Sequence, residues 1–285
     1  MEKELSVILV NYNDKTHLQS CLSSLVDNGR GFAFEIIIVD NNSGDGSPEF
    51  IEKNFPAVNL IHNRENVGFS RANNQAIRIS RGEFILFLNT DTLLPRGVLK
   101  LLLEEMRANP QIGALGPALF RDRTRYQVSF GEKVSFFSEI LQKCFLNYYY
   151  RLLLKIVQKK REVGWLSAAC LLVRRSALEE VGFFDEKFFL YFEDIDLCLR
   201  MRERGWKLIF FPRAKVFHEG GVSTLSFKLS SRLEYRRSQL YYYRKHNSKI
   251  SLFLLRLYLR LNFSFLSLWI GDSEIRSHYF QLLKE

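Results

Sequence analysis

The first 120 residues predict an α/β fold with a mostly parallel central sheet flanked by helices, and three observations carry the prediction. Short apolar runs recur at Ser6–Val10, Glu35–Val39, Val58–His62 and Phe84–Leu88, spaced so that a helix fits between each pair. Each run ends in Asn or Asp, and right-handed crossovers bring those ends to one edge of a sheet. The intervening segments carry helical signals.

In order, Ser6–Val10 reads as a buried strand closing on Asn11-Tyr12-Asn13-Asp14. Leu18, Cys21, Leu22 and Leu25 then fall on one helical face before Gly29. Glu35–Val39 closes on Asp40-Asn41-Asn42, and Ser47-Pro48 supplies an N-cap and first turn. Val58–His62 is a weaker strand, followed by Asn66-Val67-Gly68-Phe69 and a helix through Asn74, Ile77 and Ile79. Phe84–Leu88 runs without relief into Asn89-Thr90-Asp91, which reads as a strand buried on both faces that delivers a carboxylate to its C-terminal end. Ligands of open α/β sheets gather at that edge. The alternative for this tripeptide is an Asx turn bonded to its own backbone.

Beyond Pro95 a helix through Met106 and a strand over Ile112–Leu119 follow. Residues 120–162 are basic and aromatic with no clean period, which predicts an insertion or acceptor-side loop, or else a helical hairpin packed on the sheet. Trp165–Val173 resumes as a strand. Tyr191-Phe192-Glu193-Asp194-Ile195-Asp196 opens a helix with three carboxylates in four positions, more than dipole capping requires. Glu193 and Asp196 are candidates for acceptor contacts or for the helix start, and Asp196 also suits a surface pair with Arg200. Lys207–Phe211 leads to His218-Glu219-Gly220-Gly221, where a histidine precedes glycines that let a backbone approach a ligand.

The 285 residues carry a formal net charge of +10, which points to an acidic partner: anionic lipid, a phosphorylated substrate or nucleic acid. Nucleic acid is disfavoured, because the basic residues concentrate after position 120 beside apolar helices and no RNA-binding or helix-turn-helix signature occurs. Four scattered cysteines read as core thiols of a reducing compartment, and the N-terminal apolar run is too short for a signal peptide, so a cytoplasmic location is expected. No Walker motif or G-x-G-x-x-G is present, which gives no support to a P-loop triphosphatase or a dinucleotide oxidoreductase. Residues 224–285 read as a basic amphipathic helical tail. Arg256 and Arg260 make a simple membrane span costly. Lys249, Arg256, Arg260, Ser264 and Ser267 share a stripe, the pattern of a helix lying in a membrane interface, with Arg232, Arg236, Arg237, Arg244 and Lys245 facing anionic head groups. Packing of that helix on the domain is the alternative.

Together, Val7–Asn13, Ile38–Ser43, Asn66–Phe69, Asn89–Asp91, Tyr191–Leu197 and His218–Gly221 resemble the inverting glycosyltransferase family 2, especially its rhamnosyltransferase-like branch, over roughly residues 5–223. The resemblance implies a glycosyltransferase A fold in residues 1–223, with the helical tail appended. It implies a nucleotide-diphosphate sugar donor, dTDP-rhamnose or a UDP-sugar, and a divalent metal, Mn²⁺ or Mg²⁺. Asp40 would meet the base, with Asn11, Asn42, Asn66, Gly68 and Asn74 on the donor side. Asn89 would contact ribose or phosphate, Asp91 and His218 would hold the metal, and Asp194 would be the catalytic base. The usual D-x-D is N-T-D here, so the metal rests on Asp91, His218 and the donor phosphates. A lipid-linked saccharide acceptor at the inner membrane face follows from the tail together with the family. The alternatives are transfer of another hexose or an amino sugar, and a degenerate module that only binds membranes.

Overall fold

The computed structural model describes residues 3–29, 31, 33–122, 124–144, 158–220 and 228–267. Ten of its strands form one sheet. Four parallel strands make its first half: β3 (Asn59–His62), β2 (Phe34–Asp40), β1 (Leu5–Asn11) and β4 (Phe84–Leu88), in that spatial order. Helices α1 (Lys15–Asn28), α2 (Ser47–Asn54) and α3 (Phe69–Ile79) connect them. The register sets Asn11 beside Asp40, so the polar strand ends do share an edge.

The second half departs from parallel order. The run expected as one strand over 165–173 splits into β10 (Trp165–Leu166) and β11 (Cys170–Arg174). The break follows from backbone groups spent elsewhere: the Ser167 N–H goes to the Ser129 carbonyl and the Ala168 N–H to Asp194. β11 runs antiparallel between β4 and β6 (Ile112–Phe120). β6 pairs in parallel with β12 (Lys207–His218), whose far end meets the two-residue β5 (Thr92–Leu93). β12 carries Pro212 through a register shift between Phe211 and Lys215, joining the two runs the sequence shows on either side of it.

Side-chain alternation divides the core. Leu86 and Leu88 face one layer with α1 and α4 (Val98–Ala108), while Ile85 and Phe87 face the other with α3, α6 (Arg175–Val181) and α7 (Glu193–Glu203). All of β4 is buried, as its unbroken apolar run requires.

A third cluster joins α8 (Lys228–His246) and α9 (Lys249–Ser267) to the segment before α7, through Phe188, Phe192, Leu240, Tyr242, Tyr243, Leu255 and Leu259. The insertion contributes β7 (Tyr126–Gln127), β8 (Phe130–Gly131), α5 (Phe136–Cys144) and β9 (Arg161–Glu162). α5 packs on α8 and α9 rather than on the sheet, with Glu139 accepting from Gln239 Nε2 and the Tyr243 hydroxyl at 2.7 and 2.9 Å. The tyrosines at 148–150 and the tail after 267 lie outside the described residues. Lys245, expected at the head groups, turns inward instead: its Nζ lies 2.7 Å from both the half-buried Asp185 and the fully buried Asp196, the latter needing a cation. Among the described residues no helix is long and apolar enough to cross a membrane, and Cys21, Cys170 and Cys198 are buried free thiols.

Candidate active site

A cleft of about 440 Å³ opens at the C-terminal edge of the parallel strands, lined by residues that include Asn66, Gly68, Asn89, Asp91, Glu193, Asp194 and His218. On its first wall, Asn11 and Asp40 are fully buried behind the surface. Asn11 Nδ2 donates to Asp40 Oδ1 (2.7 Å), Ser43 Oγ (3.0 Å) and Ser47 Oγ (2.7 Å), and the Ser43 N–H donates to the other Asp40 oxygen at 2.9 Å. These bonds fix the turn after β2, on which Asn42 is exposed at φ 65°. Asn41 sits in the cleft wall; its Nδ2 donates to Asn66 Oδ1 and the Gly68 carbonyl.

Gly68 has φ 84°, and an added Cβ would lie 2.7 Å from both the ring and the carbonyl oxygen of Phe189. Only glycine lets the 188–191 segment close onto this wall, where the Phe69 N–H donates to the Phe189 carbonyl at 2.7 Å. Asn74 lies outside the cleft. Its amide donates to the Phe184 carbonyl and Glu186 and accepts the Phe184 N–H, so it straps that loop to α3.

The centre of the cleft is Asn89-Thr90-Asp91. Thr90 Oγ1 donates to the buried Asp14 at 2.6 Å, the Asn89 N–H to the Ala169 carbonyl, and Thr92 Oγ1 to the Asn89 carbonyl, so the turn is braced on three sides. Asp91 Oδ1 lies 3.2 Å from His218 Nε2, and Oδ2 accepts the Gly220 N–H at 3.0 Å. Burial pushes the Asp91 carboxyl up, and the His218 ring with the Gly220 N–H outweighs it, so the group ionises below the usual carboxylate range.

His218 Nδ1 lies 2.8 Å from the side-chain amide oxygen of Gln127, a contact that aims Nε2 at Asn89 and Asp91. Nε2 lies 3.2 Å from both Asn89 Nδ2 and Asp91 Oδ1. A hard cation between Asp91 and Nε2 would take the place of a proton there. These residues therefore fit a divalent metal as a partial ligand set. Among the described residues no group of three or more His, Cys, Asp or Glu is gathered, so donor phosphates or water must complete the shell.

On the opposite wall, Tyr191 and Phe192 hold φ of 70° and 67°, an uncommon pair for bulky side chains. They deliver the α7 N-terminus to the cleft, with Glu193 and Asp194 both lining it. Asp194 accepts the Ala168 N–H (3.1 Å) and the Ile195 N–H (2.8 Å) on separate oxygens. Burial raises it and those two N–H groups hold it back. Glu193 has a buried oxygen with no hydrogen-bond partner; burial, then the Asp194 charge, raises its pKa well above the ordinary range. Both carboxyls are thus raised, Glu193 the further of the two, because Asp194 has two N–H donors on its oxygens and the Glu193 oxygen has none. Asp196 points away and serves structure: it meets Arg200 Nε at 2.8 Å, Lys245 Nζ at 2.7 Å and His246 Nε2 at 2.6 Å.

Sequence reasoning missed Gln127 and Arg121, which line the cleft from a stretch with no readable period, and Ser167 and Ala168, hidden in an apparent strand. The polar Ser167 within that run was the available signal.

A mostly parallel sheet with this strand order and a cleft at the C-terminal edge of its parallel strands is the glycosyltransferase A fold. Solved structures share the architecture: a mannosyltransferase from Pyrobaculum calidifontis in complex with GDP-Man and Mn²⁺ has a TM-score of 0.63 at 19% identity over 86% of this chain and 64% of its own. GalNAc-T7 with UDP, GalNAc and Mn²⁺ has a TM-score of 0.59 at 16% identity over 83% of this chain and 47% of its own. The model of glycosyl transferase family 2 matches residues 6–182, and the chain belongs to that family of glycosyltransferases. A relative from Mycobacterium tuberculosis, N-acetylglucosaminyl-diphospho-decaprenol L-rhamnosyltransferase, is 32% identical over 79% of this chain and 78% of its own. The rhamnosyltransferase WbbL of Escherichia coli is 24% identical over 78% and 85%.

Proposed function

We propose that this glycosyltransferase moves a hexose, rhamnose in the first instance, with inversion from a nucleoside-diphosphate sugar to a lipid-linked saccharide. The observation that carries the reading is Asp194: a carboxylate held by two N–H groups on the wall facing Asp91 and His218. The relatives' names support the sugar and the lipid-linked acceptor.

A nucleoside diphosphate leaves as an anion, so the reaction needs no carboxylic acid to protonate the leaving group, unlike glycoside hydrolysis. Asp91 and His218 Nε2 would hold Mn²⁺ or Mg²⁺, which when bound would supply positive charge to the leaving diphosphate. Asn11, Asp40, Asn42, Asn66 and Gly68 shape the donor wall. Asp194 takes the proton from the acceptor hydroxyl as that oxygen attacks the anomeric carbon from the face opposite the diphosphate, a role worth about 10²- to 10⁴-fold in rate. Glu193, whose pKa burial and the Asp194 charge raise and whose buried oxygen has no partner, would offer a hydrogen bond to the acceptor rather than compete for that task.

Residues 1–223 form the catalytic unit in this reading and 224–285 a tail that rests on the inner face of the cytoplasmic membrane. On α9, Ile250, Phe253, Leu257 and Leu261 are exposed (71%, 63%, 42% and 64%) on a face bordered by exposed Lys249 and Arg260. Residues 228–267 hold nine Lys and Arg against one Glu. That combination suits an anionic bilayer surface.

The test is calorimetric titration with uridine, thymidine and guanosine diphosphate sugars, with and without Mn²⁺. The expected result is metal-dependent binding of one donor, abolished by Asp91→Ala. Folded protein that binds none of them refutes the reading.

A further inference from the structure

The donor reading leaves one cation of the cleft unassigned. Arg121 stands at the end of β6, where its backbone N–H donates to the Arg125 carbonyl and its side chain lines the cleft beside Asn89, Asp91 and His218. Among the described residues its guanidinium has no carboxylate or hydrogen-bond partner. A cation facing two carboxylate-bearing walls without joining either is placed for an anion that arrives from outside.

Gly220 marks where that anion fits. Its φ is 75°, and a Cβ built there would lie 3.1 Å from Gln127 Nε2, 3.7 Å from an Arg121 terminal nitrogen and 3.7 Å from His218 Cε1. Two N–H donors of different elements thus converge on a point that, among the described residues, the lack of a side chain keeps open. The Gly220 N–H holds Asp91 Oδ2 from the same turn, so this cradle adjoins the proposed cation site.

Charge and order along the sheet edge fix which anion. The base end of the donor wall lies at β1 and β2, and the sheet then runs β4, β11, β6, β12, β5, with Asp91 just before β5 and its carbonyl accepting the Glu219 N–H at the end of β12. Arg121, at the end of β6, stands beyond β4 and β11 from the base and beside Asp91, a position that suits the distal phosphate of a nucleoside diphosphate. With Asn89 where a second acid would stand, the diphosphate side of the cleft holds one carboxylate charge, that of Asp91, to which a divalent ion would add two positive charges and Arg121 one more, while Asp194 stands on the opposite wall. The sum offsets the two negative charges of a diphosphate diester.

We infer that Arg121, with the Gln127 amide and the open Gly220 cradle, binds the sugar-bearing phosphate of the donor and holds the diphosphate as it leaves. The inference rests on the proposed donor site. In the reaction the anomeric carbon–oxygen bond breaks, its electron pair stays on that phosphate oxygen, and Arg121 faces the charge that develops there.

The experiment compares wild type, Arg121→Ala and Arg121→Lys by calorimetry with uridine, thymidine and guanosine diphosphates and the matching monophosphates, all with Mn²⁺. Arg121→Ala is expected to weaken the diphosphate that wild type prefers on the order of 10- to 100-fold and to change its monophosphate less than about 2-fold. Arg121→Lys should recover part of the loss, because it keeps the charge and not the fork. Equal diphosphate affinity in wild type and Arg121→Ala, or equal loss for both nucleotides, overturns the assignment and leaves the donor site standing. A wild type that binds no nucleoside diphosphate overturns the donor site and Arg121's role with it. Arg121 is exposed and its melting temperature variants report folding directly.

Discussion

Replacing Asp196 by Ala removes the carboxylate that ties α7 to α8. Its side chain is fully buried, and one oxygen meets Lys245 and His246 while the other meets Arg200. Breaking a buried ion pair from one side costs about 3–5 kcal/mol. Arg200 keeps the Val181 and Phe183 carbonyls and Lys245 keeps Asp185, which favours the low end. A second route agrees. Burial pushes Asp196 up, yet the His246 hydrogen bond, Arg200 and Lys245 pull it from 3.8 to about 2. That depression corresponds to about 2.5 kcal/mol of native-state stabilisation. Because the folded pKa is lowered, this contribution is present above the ordinary carboxylate pKa and disappears as the pH falls through about 2. Urea unfolding followed by circular dichroism should show Asp196→Ala about 3 kcal/mol less stable at pH 7. The ionic part of the difference should shrink by about half at pH 3. Stability within about 0.5 kcal/mol of wild type at pH 7, or a difference unchanged at pH 3, would refute the reasoning.

Three further outcomes are expected. Asp194→Asn should lower kcat about 10²- to 10⁴-fold with donor affinity retained. The wild-type kcat should fall on the acid side at a pH above the ordinary aspartate range, since burial raises Asp194; steady-state kinetics between pH 4 and 8 read both. Gln127→Leu removes the amide oxygen that meets His218 Nδ1, and Mn²⁺ affinity, measured by electron paramagnetic resonance, should drop about 10- to 100-fold. Ile250→Ser combined with Phe253→Ser should weaken sedimentation with vesicles rich in phosphatidylglycerol while leaving the melting temperature unchanged, because both side chains face outward.

The strand ends show how much of the site the sequence determined by itself. Leu86 and Ile85 alternate between two core layers because a fully apolar strand has no solvent face, and the chain must then turn at its polar end. Asn11, Asp40, Asn89 and Asp91 could be placed at one edge for that reason alone. Asp194 and Asp196 could not be told apart from their spacing. Two residues along a helix turn the side chain by about 200°, so one acid faces the cleft and the other faces α8. Which is which depends on the two left-handed residues, Tyr191 and Phe192, that aim the helix. Gln127, Arg121 and Gly220 come together only through the antiparallel pairing of β7 with β6 and the parallel pairing of β6 with β12. Such long-range register leaves no local period to read. The tail likewise carries its charge and amphipathicity in its letters, whereas the anchoring of Lys245 and His246 on Asp196 is decided by the neighbour that needs a cation.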